Sequence, residues 1–389
     1  MGRYPCKESW TKEINYMEDN HKSILYIRAD GIYYDSRATK EIKALLGAGY
    51  KVIVLGWDRD GKAEAKCNND FGSYGTQIEF VLYHGMIQGS ASHGLKYLWG
   101  WLRFVRNEIK RLKDSVFAVH ACDLDSILLS YRLIKKYKLS LVYDVYDYYV
   151  DSHYYLPKLL NFFLERIEIN IINIADVTII CTEERMEQLA KAKPHKIAVV
   201  HNSPDVEYLK NDRIYDYFYC GSLCDSRLLK ETFSEYAKNT DLKICIGGFG
   251  TYEKEVKGVA DKYENFSYLG SLSYSDCLVN ESKSLCLSAI YEPSIRNHRL
   301  CAPNKFYESL ALGKPVIVCK GTGIDRIVKE NNIGIVIEYD ASQFYSAVRA
   351  LASNPQLCEE MGERARKLYD EKYNWGIMSK RLLDVYKNL

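Results

Sequence analysis

APNKFYESLALGKPVIV, residues 302–318, reads as a short helix that runs straight into a buried strand. Pro303 suits a first helical turn, where its missing N–H costs nothing. Gly313 closes the helix as a left-handed cap, and Pro315 prevents its continuation. Val316, Ile317 and Val318 form a continuous apolar run, the mark of a strand covered on both faces. Within the helix, Phe306 and Leu310 are four apart and share one face, while Lys305 and Glu308 are three apart and share another. One face packs. The other offers a cation and a carboxylate near the helix start, where free N–H groups and the dipole favour a phosphate. Read from spacing alone, the same pair is equally a solvated ion pair on a surface helix.

The 389 residues suggest two domains of ordinary size with ample core. A hydrophobic share of 47% is that of a folded globular chain, and a net charge of +2 gives no global field for nucleic acid. None of the 12 cysteines forms a C-x-x-C pair. Cys181, Cys245, Cys286 and Cys319 sit in or beside apolar runs, so they read as buried free thiols of a reducing compartment. The opening MGRYPCKESW lacks an apolar leader, and no run approaches the 18 apolar residues of a membrane span. A cytoplasmic protein is expected. Residues 1–22 are polar and unpatterned and are read as a tail.

From Ser23 strands and helices alternate. Residues 24–27 are strand-like, a helix reaches Leu46 before Gly47 and Gly49, and 51–55 is the next strand. No G-x-G-x-x-G follows the first strand, so a dinucleotide site is not supported. Further strands are read at 116–120, 141–145, 175–180 and 197–200. After the turn residues 201–205 they continue at 215–220, 242–246, 266–269 and 285–290. Active sites of parallel sheets lie beyond strand C-termini, which singles out His120 at such an end. Asp147 follows the next strand and is either a general base or a cap of the following helix. Gly221 permits close approach of backbone to ligand. Arg227 follows it and either grips an anion bidentately or is a surface residue at a helix start. Asp123 and Asp125 open a helix at 126–136, so capping and dipole pairing explain them without a metal.

Residues 92–113 are the most amphipathic stretch. Leu95, Leu98, Leu102, Val105, Ile109 and Leu112 make one stripe that packs on the sheet. Trp99, Trp101 and Phe104 lie off it, beside Lys96, Arg103, Arg106, Lys110, Arg111 and Lys113 with Glu108 the only acid among them. Aromatics beside basic residues suit an anionic headgroup interface, against an ordinary core helix with solvated lysines.

The P-x-K-x-x-E pattern at Pro303, Lys305 and Glu308 resembles a segment in the C-terminal domain of GT-B nucleotide-sugar glycosyltransferases. It is similar to the large retaining family that includes many bacterial polysaccharide and lipopolysaccharide enzymes, and the resemblance covers residues 24–388. It implies two Rossmann-like, doubly wound parallel-sheet α/β domains facing across a cleft. Residues 1–203 bind acceptor, 204–371 bind the nucleotide sugar, and 372–389 form a helix crossing back to the first domain. It implies that Glu308 holds the ribose hydroxyls, that Lys305, with Asn304 beside it, lies near the donor phosphates or sugar, and that the anion gripped by Arg227 is a diphosphate. Gly31, Asp35 and Arg37 face the cleft, Gly248 lies in a turn beside the nucleoside, and the backbone of Leu269 meets the base edge. Three departures stand out. Tyr146 replaces the histidine of the D-x-H-[DE] pattern, Ser222 replaces the first phosphate cation before Arg227, and Leu300 replaces the first glutamate of E-x7-E.

The resemblance implies a hexosyltransferase-type enzyme of cell-surface polysaccharide synthesis. It moves a sugar from a nucleoside diphosphate sugar, expected to be a UDP-sugar, to a glycan or lipid-linked acceptor with retention. His120 and Asp147 face the acceptor. The nucleotide sugar is a co-substrate, and no cofactor or metal is required. Residues 95–113 rest on the anionic inner face of the cytoplasmic membrane. The alternatives are a sugar-nucleotide epimerase of the same architecture and a non-catalytic donor-binding subunit.

Overall fold

The computed structural model describes residues 23–29, 31–32, 35–85, 91–209 and 211–389, with the side chains of 91–96 excepted. The tail at 1–22, the loop residues Asp30, Tyr33 and Tyr34, and the side chains of Leu95 and Lys96 lie outside the described residues. Short runs rich in Val, Ile, Leu and Tyr form the strands, as expected for a surface buried on both faces. In the first half these are β1 (Ser23–Arg28), β2 (Val52–Asp58), β3 (Ile78–His84), β4 (Val116–Cys122), β5 (Ser140–Val145), β6 (Val177–Ile180) and β7 (Ile197–Val199). They make one parallel sheet in the order β3-β2-β1-β4-β5-β6-β7. In the second half, β8 (Tyr215–Leu223), β9 (Ile244–Gly250), β10 (Phe266–Tyr268), β11 (Ser284–Ala289), β12 (Val316–Cys319) and β13 (Gly334–Ile337) make another, in the order β10-β9-β8-β11-β12-β13. The strand order reverses beside β1 and again beside β8, and a crevice opens past the strand ends at such reversals. Both halves are doubly wound, in agreement with the sequence. The edge strands β3 and β13 went unread, although residues 80–83 and 335–337 are apolar runs of strand length, and most of their residues are only half-buried.

The Asn304–Ala311 helix and β12 occupy the stretch that opened the reading. Pro303 stands just before the helix with extended backbone instead of within its first turn, and Gly313 turns the chain with φ of 61°. The Ala91–Leu112 helix buries Leu102, Val105, Ile109 and Leu112 against the first sheet. Trp101, expected on the open side, is fully buried: it stacks on Trp57 at 5.9 Å and donates its indole N–H to the carbonyl of Asp125 at 3.0 Å. A 100° step per residue places it near enough to the stripe for its large ring to reach the core. The described cysteines are free thiols and most of them are buried.

The Trp375–Lys387 helix returns to the first sheet, where Trp375, Met378, Leu382, Val385 and Tyr386 join the core formed with β1, β2, β4 and the Ser36–Gly47 helix. Its polar anchors there include Arg381, which donates to the Val199 carbonyl at 3.1 Å, and the Tyr386 hydroxyl, 2.6 Å from Nδ1 of buried His120. Replacing Tyr386 by Phe strands that nitrogen and is expected to cost about 1–2 kcal/mol of stability. Urea unfolding checks this, and a loss below about 0.3 kcal/mol would mean that apolar packing docks the helix without this bond.

Candidate active site between the two sheets

A cavity of about 670 Å³ opens between the C-terminal edges of the two sheets. The first domain lines it with Gly31, Asp35, Arg28, Arg37, Tyr146 and Asp147, the second with Arg227, Tyr291, Asn297 and Asn304. Asp147 follows β5. Its Oδ1 accepts from the Arg185 guanidinium at 3.0 Å and, across the cleft, from the Asn297 amide at 2.9 Å. Both contacts fall on one oxygen, so Oδ2 is left for another donor. Arg227 follows β8, lies flat over the Tyr291 ring at 3.8 Å from its centroid, and among the described residues hydrogen-bonds only to Ser226. Stacking holds the guanidinium plane while leaving its edge for an anion. Asn304, at the helix start, accepts from the amide of Asn202 across the domains.

The Asn304–Ala311 helix directs its other groups inward. The Lys305 ammonium donates to Glu281 at 2.7 Å and to Glu308 at 2.9 Å, with Cys277 Sγ at 3.5 Å. Glu308 and Glu281 are buried. The sequence pairing of Lys305 with Glu308 is therefore present, but neither as a solvated surface pair nor lining the cavity. Burial pulls the ammonium down, yet the two carboxylates outweigh it and hold the group well above the ordinary lysine value. Burial, then the neighbouring Glu308 charge, pushes the Glu281 carboxyl well up. Glu281 went unnoticed because it lies 24 residues away on the Tyr274–Ser282 helix, with no spacing to mark it.

His120 requires a correction. It lies inside β4, two residues before the strand's end, and is fully buried instead of facing an acceptor. Tyr26 stacks on its ring at 4.5 Å, and Asp144 and Glu41 approach Nε2 at 3.4 and 3.6 Å. Arg37, proposed for the cleft, reaches back to pair with Glu41 at 3.0 Å and Asp144 at 3.0 Å and donates to the Val200 carbonyl. The donor atoms of Glu41, His120 and Asp144 lie close enough to ligate an ion, but the guanidinium already supplies their positive partner. Tyr146, in the position of the expected histidine, sits between Arg28 and Arg37, at 4.4 and 4.6 Å from its ring centre. Asp123 caps no helix with its side chain. Its carboxylate pairs with Arg28 and accepts the backbone N–H groups of Tyr146 and Asp147, which fixes the loop carrying Asp147.

Gly221 and Gly248 face each other in the β8–β9 ladder. Gly248 has φ of 119°, and a Cβ there would lie 1.9 Å from the Gly221 carbonyl, so backbone meeting backbone demands glycine at this point, whereas a ligand was expected. The Leu269 N–H is taken by Ile246 at 2.9 Å, and its side chain is exposed at the sheet edge. Sequence reading missed Arg28, Arg185, Tyr291 and Asn297. The first two sit in ordinary alternating segments, whereas Tyr291 lies in the loop after β11 and Asn297 in the one-turn Arg296–Arg299 helix, with no repeat to flag them.

Burial and then the Asp144 charge raise Glu41, with Arg37 and His120 opposing them, to about 7. A raised carboxyl adds stability that is complete below about pH 4.5 and is lost as pH climbs through about 7. Glu41→Gln is expected to flatten the stability profile between pH 5 and 7 by up to about 1.4 kcal/mol per pH unit, read by urea unfolding across that range. An unchanged slope would place the proton elsewhere.

Two family profiles cover most of the chain: residues 37–208 match Glycosyltransferase Family 4, and residues 226–368 match Glycosyl transferases group 1. A sucrose-phosphate synthase from Thermosynechococcus elongatus superposes with a TM-score of 0.71 at 13% identity, over 95% of this chain and 99% of that one. The Anabaena protein HepE, in complex with UDP-glucose, superposes at 0.70 and 14%, over 95% and 100%. Spore coat protein SA of Bacillus subtilis is 26% identical over 105 residues, which span 26% of each protein. At these identities the solved structures speak for the fold. The profiles add a family to each half, and they meet around the cavity just described, so the chain belongs to the group 1 glycosyltransferases of GT-B architecture.

Proposed function

We propose that the protein transfers a sugar from a UDP-sugar to a glycan or lipid-linked acceptor in bacterial cell-surface polysaccharide or lipopolysaccharide synthesis, with retention at the anomeric carbon. The observation that carries this is the interdomain cavity, in which Arg227 on its Tyr291 platform shares one space with the half-free carboxylate of Asp147. Breaking the glycosidic bond builds positive charge on the sugar and negative charge on the departing diphosphate. Arg227 and the N-terminus of the Asn304–Ala311 helix are preorganised donors for that diphosphate. Asp147 Oδ2 accepts from a hydroxyl neighbouring the reacting one and so orients the acceptor, and the leaving phosphate takes the proton of the reacting hydroxyl as that hydroxyl's oxygen bonds to the anomeric carbon. We assign the ribose diol to Glu308 from the family resemblance; the carboxylate is buried with Oε2 on Lys305, so donor binding has to open the cavity toward it. HepE's complex with UDP and glucose supports a donor of this kind. The cationic side of the Ala91–Leu112 helix, with Arg103 and Lys110 exposed, supports a cytoplasmic enzyme resting on an anionic membrane.

Incubation with a panel of UDP-sugars and membrane-extracted acceptors tests the reading. Sugar on acceptor is expected, with Arg227→Ala lowering kcat/KM by about 100-fold. Glu308→Gln should raise the donor KM by about tenfold at nearly constant melting temperature. Epimerised nucleotide, or binding without turnover, would replace the proposal with one of the two alternatives. Full activity in both variants would remove this site.

A further inference from the structure

The Lys158–Ile174 helix begins outside the packed layer. Its C-terminal half buries Ile171 and Ile172 against the first sheet. Its N-terminal half and the turn before it expose Tyr154, Tyr155, Leu159, Leu160, Phe162 and Phe163, from 44% for Leu160 to 71% for Tyr155. Single exposed apolar residues are ordinary on soluble proteins, but six within ten positions need a partner. Lys158, Leu159 and Leu160 are exposed in succession, so more than half of that turn's circumference faces solvent.

The charge around this patch has one sign. Lys158 is exposed at the helix start, and the Arg166 guanidinium lies 4.7 Å from the centre of the Phe162 ring. The nearest acids are engaged: Glu165 pairs with Lys191 at 2.7 Å, and Glu168 is buried against Tyr143. The Ala91–Leu112 and Tyr131–Lys136 helices rest on the same face of the sheet. They expose Arg103, Lys110, Arg132 and Lys136, and among the described residues none of these four makes an ion pair. The layer is strongly basic on a chain of net charge +2, so the excess is local.

We propose that the start of the Lys158–Ile174 helix is a membrane anchor: its Leu, Phe and Tyr side chains enter the headgroup boundary of an anionic bilayer, and Lys158, Arg166 and the basic outer face of the same helix layer supply the attraction. Apolar and aromatic groups next to unpaired cations match both halves of such a surface, the acyl boundary and the phosphates. A neutral protein partner would leave the cations unanswered. The position also serves the cleft. The Tyr149–Ser152 turn links Asp147 to the patch, and Asp151 in that turn meets Arg296 of the second domain at 3.6 Å. Docking there brings the cavity mouth to the bilayer. This use by a lipid-linked acceptor rests on the proposed transferase reading, whereas the anchoring itself does not.

Co-sedimentation of the full chain with vesicles, without donor or acceptor, tests it. Vesicles of phosphatidylcholine with 30% phosphatidylglycerol are expected to bind the protein at least tenfold more tightly than pure phosphatidylcholine, with the excess lost in 0.5 M salt. Leu159→Ser with Phe163→Ser should reduce binding at least tenfold at unchanged melting temperature. Lys110→Glu with Lys136→Glu, which leaves the apolar patch intact, should remove the preference for phosphatidylglycerol. Equal binding to both vesicle types, or no effect of the serine pair, overturns the anchor. So does a dimer that the serine pair converts to monomer, which would make the patch a contact between two copies. Because no sugar is transferred in this assay, its failure leaves the transferase reading standing, and failed transfer leaves the anchor standing.

Discussion

Within each sheet every strand runs parallel to its neighbours, and that one constraint arranges everything else. A parallel ladder needs a crossover after each strand, so all the loops that follow strands leave a sheet at the same edge. Asp147 after β5, Arg227 after β8 and Tyr291 after β11 reach one cavity for this reason, although they are far apart in the chain. The Trp375–Lys387 helix ties the end of the second half back onto the first sheet. Contacts across the cleft, Asn297 with Asp147, Arg326 with Glu184 and His201 with Tyr307, hold the two edges face to face.

Beneath each edge lies a cation, buried in one case and half-buried in the other, with two buried carboxylates. Arg37 has Glu41 and Asp144, and Lys305 has Glu281 and Glu308. Taking such charges out of water is costly, and a single cation cannot fully compensate two acids. The excess appears as a raised carboxyl in each group, Glu41 in one and Glu281 in the other. Around the first group tyrosine hydroxyls supply the remaining bonds: Tyr26 donates to Glu41, and Tyr386 meets His120. Such arrangements hold their members in single orientations, and both groups sit directly under side chains that line the cavity. Tyr146 shows the consequence. Its ring fills the space between two guanidinium groups, so the position where the resemblance implied a histidine is occupied by packing.

Burial also distinguishes the two amphipathic helices on the outer layer of the first domain. The Ala91–Leu112 helix presents the clearer stripe and the denser run of cations, and it attracted the sequence argument for a surface contact. Its Trp101 turned out to be core, whereas the apolar start of the Lys158–Ile174 helix, unremarkable as a pattern, stayed open to solvent. Periodicity reports which residues share a face. Whether another element covers that face depends on how far the helix extends past the sheet.

By itself the sequence determined the alternation of strands and helices, the two parallel sheets, and the strand ends from which Asp147 and Arg227 project. Those features are local, since a continuous apolar run, a turn glycine or a cap acts within a few residues of itself. Tertiary structure alone decided that His120 lies in the core, that Lys305 turns to Glu281, that Asp123 tethers a loop, and that Arg185 and Asn297 hold Asp147. Each of these depends on a partner at least 20 residues away, brought near by the sheet and not by the chain. A side chain's charge is written in its own letter, but the direction in which it spends that charge is set by neighbours that only folding supplies.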